Sequence, residues 1–153
     1  EPAPAEPPFY TAAPPSRDAA AEEEAETVPA DARQLYNAAY RDVTEGNYQL
    51  ALMELREFLD RFGETPLADN AQYWIGEIYY AQQQYPQAVE EFLKVVNDYP
   101  EADKVPAAYL KTAFSFRAQD DLPTARRYLQ FLIDRYPDTG EADLAREALR
   151  ELP

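Results

Sequence analysis

The sequence contains no histidine and no cysteine. Imidazole general bases, thiolate nucleophiles, disulfides, and zinc or iron–sulfur sites built on nitrogen or sulfur ligands are therefore excluded. The missing cysteine says nothing about compartment, because an oxidising space permits disulfides without requiring them. Glycine is scarce, with Gly46, Gly63, Gly76 and Gly140 far apart, so no glycine-rich loop exists to cradle a phosphate. Positive charge is short as well. Lys and Arg number 14 against 29 Asp and Glu, and a net charge of -15 disfavours binding to nucleic acid or anionic lipid and suits basic or neutral partners. No run approaches the ~18 to 20 apolar residues of a membrane-spanning helix. The chain opens at Glu1 without a basic or apolar leader, which reads as a processed or truncated form.

The remaining catalytic candidates are weak. Ser16 sits in a Pro/Ala-rich stretch and Ser115 between Phe114 and Phe116, neither in a nucleophile-elbow context. Glu90 and Glu91 are adjacent, so on a helix they diverge by about 100° and read as a solvated face. Asp120-Asp121, and Asp138 with Glu141, lack the alternating ligands and central glycine of a calcium loop and read as turn and capping residues. No cofactor, metal or enzymatic activity is expected.

A length of 153 residues suits one domain. Residues 1–31 hold 9 Ala, 7 Pro and 6 Glu and no Leu, Ile or Met, so they cannot build a core. The Pro7-Pro8 and Pro14-Pro15 pairs favour extended polyproline-type chain, and Glu22 to Glu24 adds self-repulsion. The segment reads as a disordered acidic linker, with enough Ala and Glu for a short helix over Asp18 to Glu26. The alternative, a proline-rich docking motif, lacks the Arg that usually flanks a PxxP core.

From residue 32 a period of 37 appears. Tyr48, Tyr85 and Leu122 stand 37 apart, as do Ala51, Ala88 and Ala125, then Leu55, Phe92 and Leu129, then Phe58, Val95 and Leu132. A column of small residues, Ala39, Gly76 and Ala113, precedes the Ala column by twelve. Small side chains at both positions let two helices approach closely while the larger columns fill the space beyond. Gly46-Asn47, Gln83-Gln84 and Asp120-Asp121 mark turns within units, and Pro86 and Pro123 fit the first turn of second helices. Tyr99-Pro100 and Tyr136-Pro137 stop those helices, Phe62-Gly63 does so in the first unit, and Thr65-Pro66 is expected to cap and open the next.

These positions resemble the tetratricopeptide repeat, most fully at Gly76, Ala88, Phe92 and Pro100. The expected fold is all-α, a right-handed superhelix of three such helix pairs over about residues 32–65, 66–102 and 103–140. A capping helix over 141–152 closes the 32–153 domain, with Leu144, Ala148 and Leu149 on its inner face. The segments LYNAAY, YWIGEIYYAQQQYPQAVEEFLKVVNDYP and ADLAREALREL, after a Pro-rich linker, further resemble the YbgF/CpoB family of periplasmic repeat proteins associated with the Tol-Pal system. Residues 1–31 hold no apolar heptad of the kind that would trimerise an upstream coiled coil, so this form is expected to be mainly monomeric, with a trimer requiring a coiled coil upstream.

The resemblance implies a non-catalytic periplasmic adaptor that couples outer-membrane constriction to peptidoglycan synthesis in cell division. Its partner would be TolA or another envelope protein, with no nucleic acid and no membrane insertion. In the family register the partner groove takes Arg33, Tyr36, Asn37 and Tyr40 from the first repeat, Asn70, Tyr73, Trp74, Glu77 and Tyr80 from the second, and Lys111, Phe114 and Arg117 from the third. Aromatic residues and Arg are what anchored interfaces favour. Aromatics at helical spacing can equally be core, and Trp74, the only tryptophan, is the residue on which the two readings divide. Two other functions fit the same repeats: a scaffold for outer-membrane protein assembly resembling BamD, and an accessory repeat domain of an envelope enzyme.

Overall fold

A computed structural model describes residues 28–153. Among them seven helices follow one another: α1 (Ala30–Glu45), α2 (Tyr48–Phe62), α3 (Ala68–Ala81), α4 (Tyr85–Asp98), α5 (Val105–Ala118), α6 (Leu122–Arg135) and α7 (Gly140–Glu151). No described helix is long and apolar enough to cross a membrane. Successive helices pack side by side, so α1/α2, α3/α4 and α5/α6 form three pairs and α7 closes on α6 and α5. The fold is the all-α repeat stack that the period implies. It begins slightly earlier than the change in composition, because Val28 is already buried and α1 opens at Ala30. The linker before it, with the short helix expected over Asp18 to Glu26, lies outside the described residues.

Four of the five repeating columns are the core, while Tyr48, Tyr85 and Leu122 are half-buried. Ala39, Ala51, Ala88, Ala113 and Ala125 are fully buried, as are Leu55, Phe58, Phe92, Val95 and Leu132. The Leu, Phe and Val side chains each contribute roughly 1.5 to 3 kcal/mol by leaving water, so these columns dominate the stability of the stack. The buried residues fall into two clusters, one from Val28 to Ala108 and one from Leu110 to Ala148; Tyr80, Tyr109 and Tyr136 pack against both and join them.

The turn within each repeat is the same device at three positions 37 apart. Gly46, Gln83 and Asp120 take left-handed φ values of 80°, 59° and 61°. The next residue then donates its N–H to a carbonyl five positions back: Asn47 to Asp42, Gln84 to Tyr79, and Asp121 to Phe116, at 2.8, 2.9 and 3.0 Å. This is the Schellman closure, which satisfies helix C-terminal carbonyls and reverses the chain in two residues. Asp121 also caps α6, accepting from the Thr124 N–H at 3.2 Å.

Between repeats, Tyr99 and Tyr136 leave the helical region ahead of Pro100 and Pro137, as expected for residues preceding proline. The join after α2 differs from expectation. Thr65 does not cap α3, which starts at Ala68 with Leu67 before it. Its hydroxyl instead donates to the Phe62 carbonyl at 2.7 Å, which also accepts the Thr65 N–H at 3.0 Å, so one residue closes the end of α2. The equivalent Thr139 does both, donating to the Tyr136 carbonyl and accepting from the Ala142 N–H.

Candidate functional site

The first helices of the repeats are exposed very unequally. Along α1, Arg33, Tyr36, Asn37 and Tyr40 recur at helical spacing on one stripe; Arg33 and Asn37 are exposed, Tyr40 is 37 % exposed and Tyr36 is half-buried. In contrast, α3 is buried from Ala68 to Ile78 at every position but Asn70, and α5 from Val105 to Ala108 and from Leu110 to Ser115. Second helices flank each of these central first helices on both sides, which leaves them little free surface.

The consequence for the candidate groove residues is direct. Tyr73, Glu77 and Lys111 are buried, and Trp74 and Phe114 are each 7 % exposed. Their side chains act inside the stack rather than as open groove lining. Asn70, Tyr80 and Arg117 are half-buried. The twelve residues thus divide into an accessible stripe on α1, a half-buried border, and an interior.

Trp74 links the stripe to the interior. Its indole Nε1–H donates to the Tyr36 hydroxyl at 3.1 Å, and its ring meets Tyr40 edge-on at 5.3 Å and Tyr73 edge-on at 5.8 Å. Tyr36 in turn packs edge-on against Phe58 at 5.8 Å. Burial pushes the Tyr36 hydroxyl up to about 12, the hydrogen bond from Trp74 opposing only part of that rise. Tyr40 therefore stands on a rigid aromatic base of four other rings, a geometry that lowers the ordering cost of an anchor residue.

Beneath the aromatic layer, α3 and α5 are joined by two charged rungs. Lys111 Nζ lies 3.2 Å from Glu77 Oε1 and 3.8 Å from the centre of the Tyr80 ring. Two turns earlier, Lys104 Nζ lies 4.8 Å above the Tyr73 ring. Burial lowers the Lys104 ammonium from its usual range, against the attraction of Asp69, and burial raises the Asp69 carboxyl. At the far end the Arg117 guanidinium sits 4.3 Å over the Phe114 ring.

Sequence reasoning missed a further buried group. Glu91 is not on a solvated face: it is buried, while Glu90 beside it is exposed. The Gln72 amide donates to the Glu91 carboxylate at 2.7 Å and to its backbone carbonyl at 3.0 Å, and Lys94 and Arg56 approach the same carboxylate at 3.1 and 3.9 Å. The legible signal was Glu91's place three residues after Ala88 and four before Val95, on the buried stripe of α4. Ser115, weighed as a nucleophile, is buried with its hydroxyl donating to the Lys111 carbonyl at 2.7 Å. Among the described residues no three carboxylates cluster to hold a metal ion. The arrangement is suited to recognising a polypeptide by an aromatic anchor and flanking polar groups.

Compared with known proteins, residues 29–152 match the family YfiO, described as outer membrane lipoprotein. None of the curated proteins matches the chain.

Proposed function

We propose that this chain, which belongs to the YfiO family of outer membrane lipoproteins, is a non-catalytic scaffold of the cell envelope that binds a segment of another envelope protein through the outer face of α1. The observation that carries the reading is Tyr40, an exposed ring held edge-on by Trp74 and flanked on its stripe by Arg33 and Asn37. Rigid aromatics beside polar donors are the usual anchors of a protein interface. The absence of His and Cys, and the backbone bond that occupies the Ser115 hydroxyl, support a role without catalysis. The working place is the periplasmic side of the outer membrane.

Two finer assignments are compatible with this scaffold. The resemblance of YWIGEIYYAQQQYPQAVEEFLKVVNDYP to the YbgF/CpoB family supports a Tol-Pal adaptor with TolA as partner, acting in cell division. The family match over residues 29–152 supports a scaffold for outer-membrane protein assembly resembling BamD. Titrating the full chain against purified TolA and against an unfolded outer-membrane β-barrel precursor separates them. Saturable binding of one, weakened by Tyr40→Ala in a chain that keeps its melting temperature, identifies the function. Binding of either that is indifferent to Tyr40→Ala and Arg33→Glu removes the α1 face from the mechanism.

A further inference from the structure

Away from α1, residues of α4, α5 and α6 line an open groove of about 640 Å³. Tyr109 forms its floor, with the Phe131 ring 5.0 Å and the Tyr128 ring 6.3 Å away, and Leu93 completes the apolar wall. Phe131 is 45 % exposed, so the groove presents bare aromatic surface. Asn97 and Arg127 stand at its border as hydrogen-bond donors. An aromatic trough edged by donors is how proteins hold polyproline-type segments: proline rings fill the slots between aromatic rings, and the unbonded backbone carbonyls of the ligand accept from the border.

Charge narrows the choice of ligand. In a chain of net charge -15, α6 carries Arg126, Arg127 and Arg135 against Asp134 alone, whereas Lys111 of α5 is buried against Glu77. Among the residues lining the groove, Arg127 is the one charged side chain. The chain's own N-terminal segment is complementary. Residues 1–27 carry seven carboxylates against Arg17, and within them Glu6-Pro7-Pro8-Phe9-Tyr10 joins a proline pair, two aromatic rings and a preceding acid. The Arg that usually flanks a PxxP ligand pairs with acidic groups on its receptor. Here the receptor supplies Arg127, and an acidic flank is the matching one.

We infer that the groove between α4, α5 and α6 is a docking site for Glu6–Tyr10 of the same chain, bound in cis, with Pro7 and Pro8 against Tyr109, Tyr128 and Phe131 and Glu6 toward Arg127. Length allows it. From Tyr10 to Val28 lie eighteen peptide steps, reaching about 60 Å when extended, whereas a compact domain of this size has a radius of gyration of about 14 Å. Docking folds the linker back along the stack and occupies a surface that an external proline-rich segment would otherwise reach.

The absence of cysteine makes the test clean. A Thr11→Cys chain carries a single nitroxide, and the isotope-labelled full-length protein is observed by amide NMR in dilute solution. The expected result is loss of the Leu93, Asn97, Arg127 and Phe131 amide signals, restored when the nitroxide is reduced. They are also restored in Phe131→Ala and in Arg127→Glu, both exposed positions whose replacement leaves the remaining spectrum intact. Should Phe131→Ala disturb the fold, Arg127→Glu decides alone. Broadening spread evenly over all helices, confined to another face, or unaffected by Arg127→Glu overturns the proposal. So does broadening that arises equally from a nitroxide on an unlabelled second copy, which would place the contact between molecules.

Discussion

Gly76 lies so close beneath the Phe92 ring that a methyl group on its Cα would stand 2.5 Å from Cδ1 and 2.6 Å from Cε1. The α3–α4 approach in the second repeat is therefore set by a hydrogen atom. Gly76→Ala would gain up to ~1 kcal/mol of helix propensity but overpack a filled core, and overpacking of this kind costs about 1 to 3 kcal/mol. The expected outcome is a net loss of stability in urea denaturation. Adding Phe92→Leu to Gly76→Ala should recover part of it, because the ring edge that the methyl strikes is then gone. A Gly76→Ala chain as stable as the parent would show that α4 can move away freely.

The left-handed turn residues give the opposite sign. Gly46 takes its φ of 80° without strain, whereas Gln83 and Asp120 hold 59° and 61° with a Cβ in place. Gln83→Gly should stabilise the protein by about 0.5 to 1 kcal/mol, the relief of left-handed strain exceeding the added flexibility of the unfolded chain. Gly46→Ala should destabilise by a similar amount, although no neighbour lies within 4 Å of the added methyl. Thermal melts of the two variants should move in opposite directions; parallel shifts would contradict the backbone account.

These two sites show why much of the fold was readable. Close packing calls for a small residue at one register, so Ala39, Gly76 and Ala113 surface as a column of the 37-residue period, and the polar or glycine turns at 46, 83 and 120 recur with the same period. The candidate interaction surface was less readable, because a helix packed on two sides and a helix packed on one can both carry aromatics at helical spacing. Tyr36 and Tyr40 on α1 and Tyr73 and Tyr80 on α3 look alike in the sequence, yet the order of repeats leaves α1 at the end of the stack and buries α3 between neighbours. Glu91 was misread for a related reason: its charge suggested water, while its spacing from Ala88 and Val95 put it on the face of α4 that meets α3.

The Glu77–Lys111 rung should be destabilised more by breaking it than by erasing it. Lys111→Ala leaves a buried carboxylate without its ammonium, a change that typically costs about 3 to 5 kcal/mol. Lys111→Met combined with Glu77→Gln removes both charges at similar volume and should lose much less, or nothing. Denaturant titration of the single and double variants reads the difference. Equal losses in both would mean that the pair contributes by shape alone.

Alkaline pH should unfold the protein in a way that depends on Tyr36. Its folded-state value of about 12 lies above the ordinary 10.0, so the unfolded chain releases the proton first. A group whose folded pKa is raised contributes stability that is complete below the unfolded value and lost as pH rises toward the folded one, here between about 10 and 12. Tyr36→Phe removes that titration along with the hydrogen bond to Trp74. Its stability at neutral pH should fall by roughly 1 kcal/mol, and its decline above pH 10.0 should be shallower than the parent's. An identical alkaline slope in both chains would assign the loss to other groups.

Tyr40 and Trp74 touch each other and should nonetheless separate binding from folding. Tyr40 is 37 % exposed at the end of the stack, so Tyr40→Ala leaves little cavity and should keep the melting temperature nearly unchanged while costing about 2 kcal/mol of partner affinity if the ring is an anchor. Trp74 is 7 % exposed and ties Tyr36, Tyr40 and Tyr73 together, so Trp74→Ala should cost about 3 to 5 kcal/mol of stability. Affinity would then fall through loss of the folded domain and of the base beneath Tyr40. Trp74→Phe distinguishes the two effects: it keeps most of the ring volume but removes the donor to Tyr36, and should retain the fold while letting Tyr40 move. A weaker affinity in Trp74→Phe with an unshifted melting temperature would show that the base positions the anchor. Full affinity in folded Tyr40→Ala would instead move the binding surface off α1.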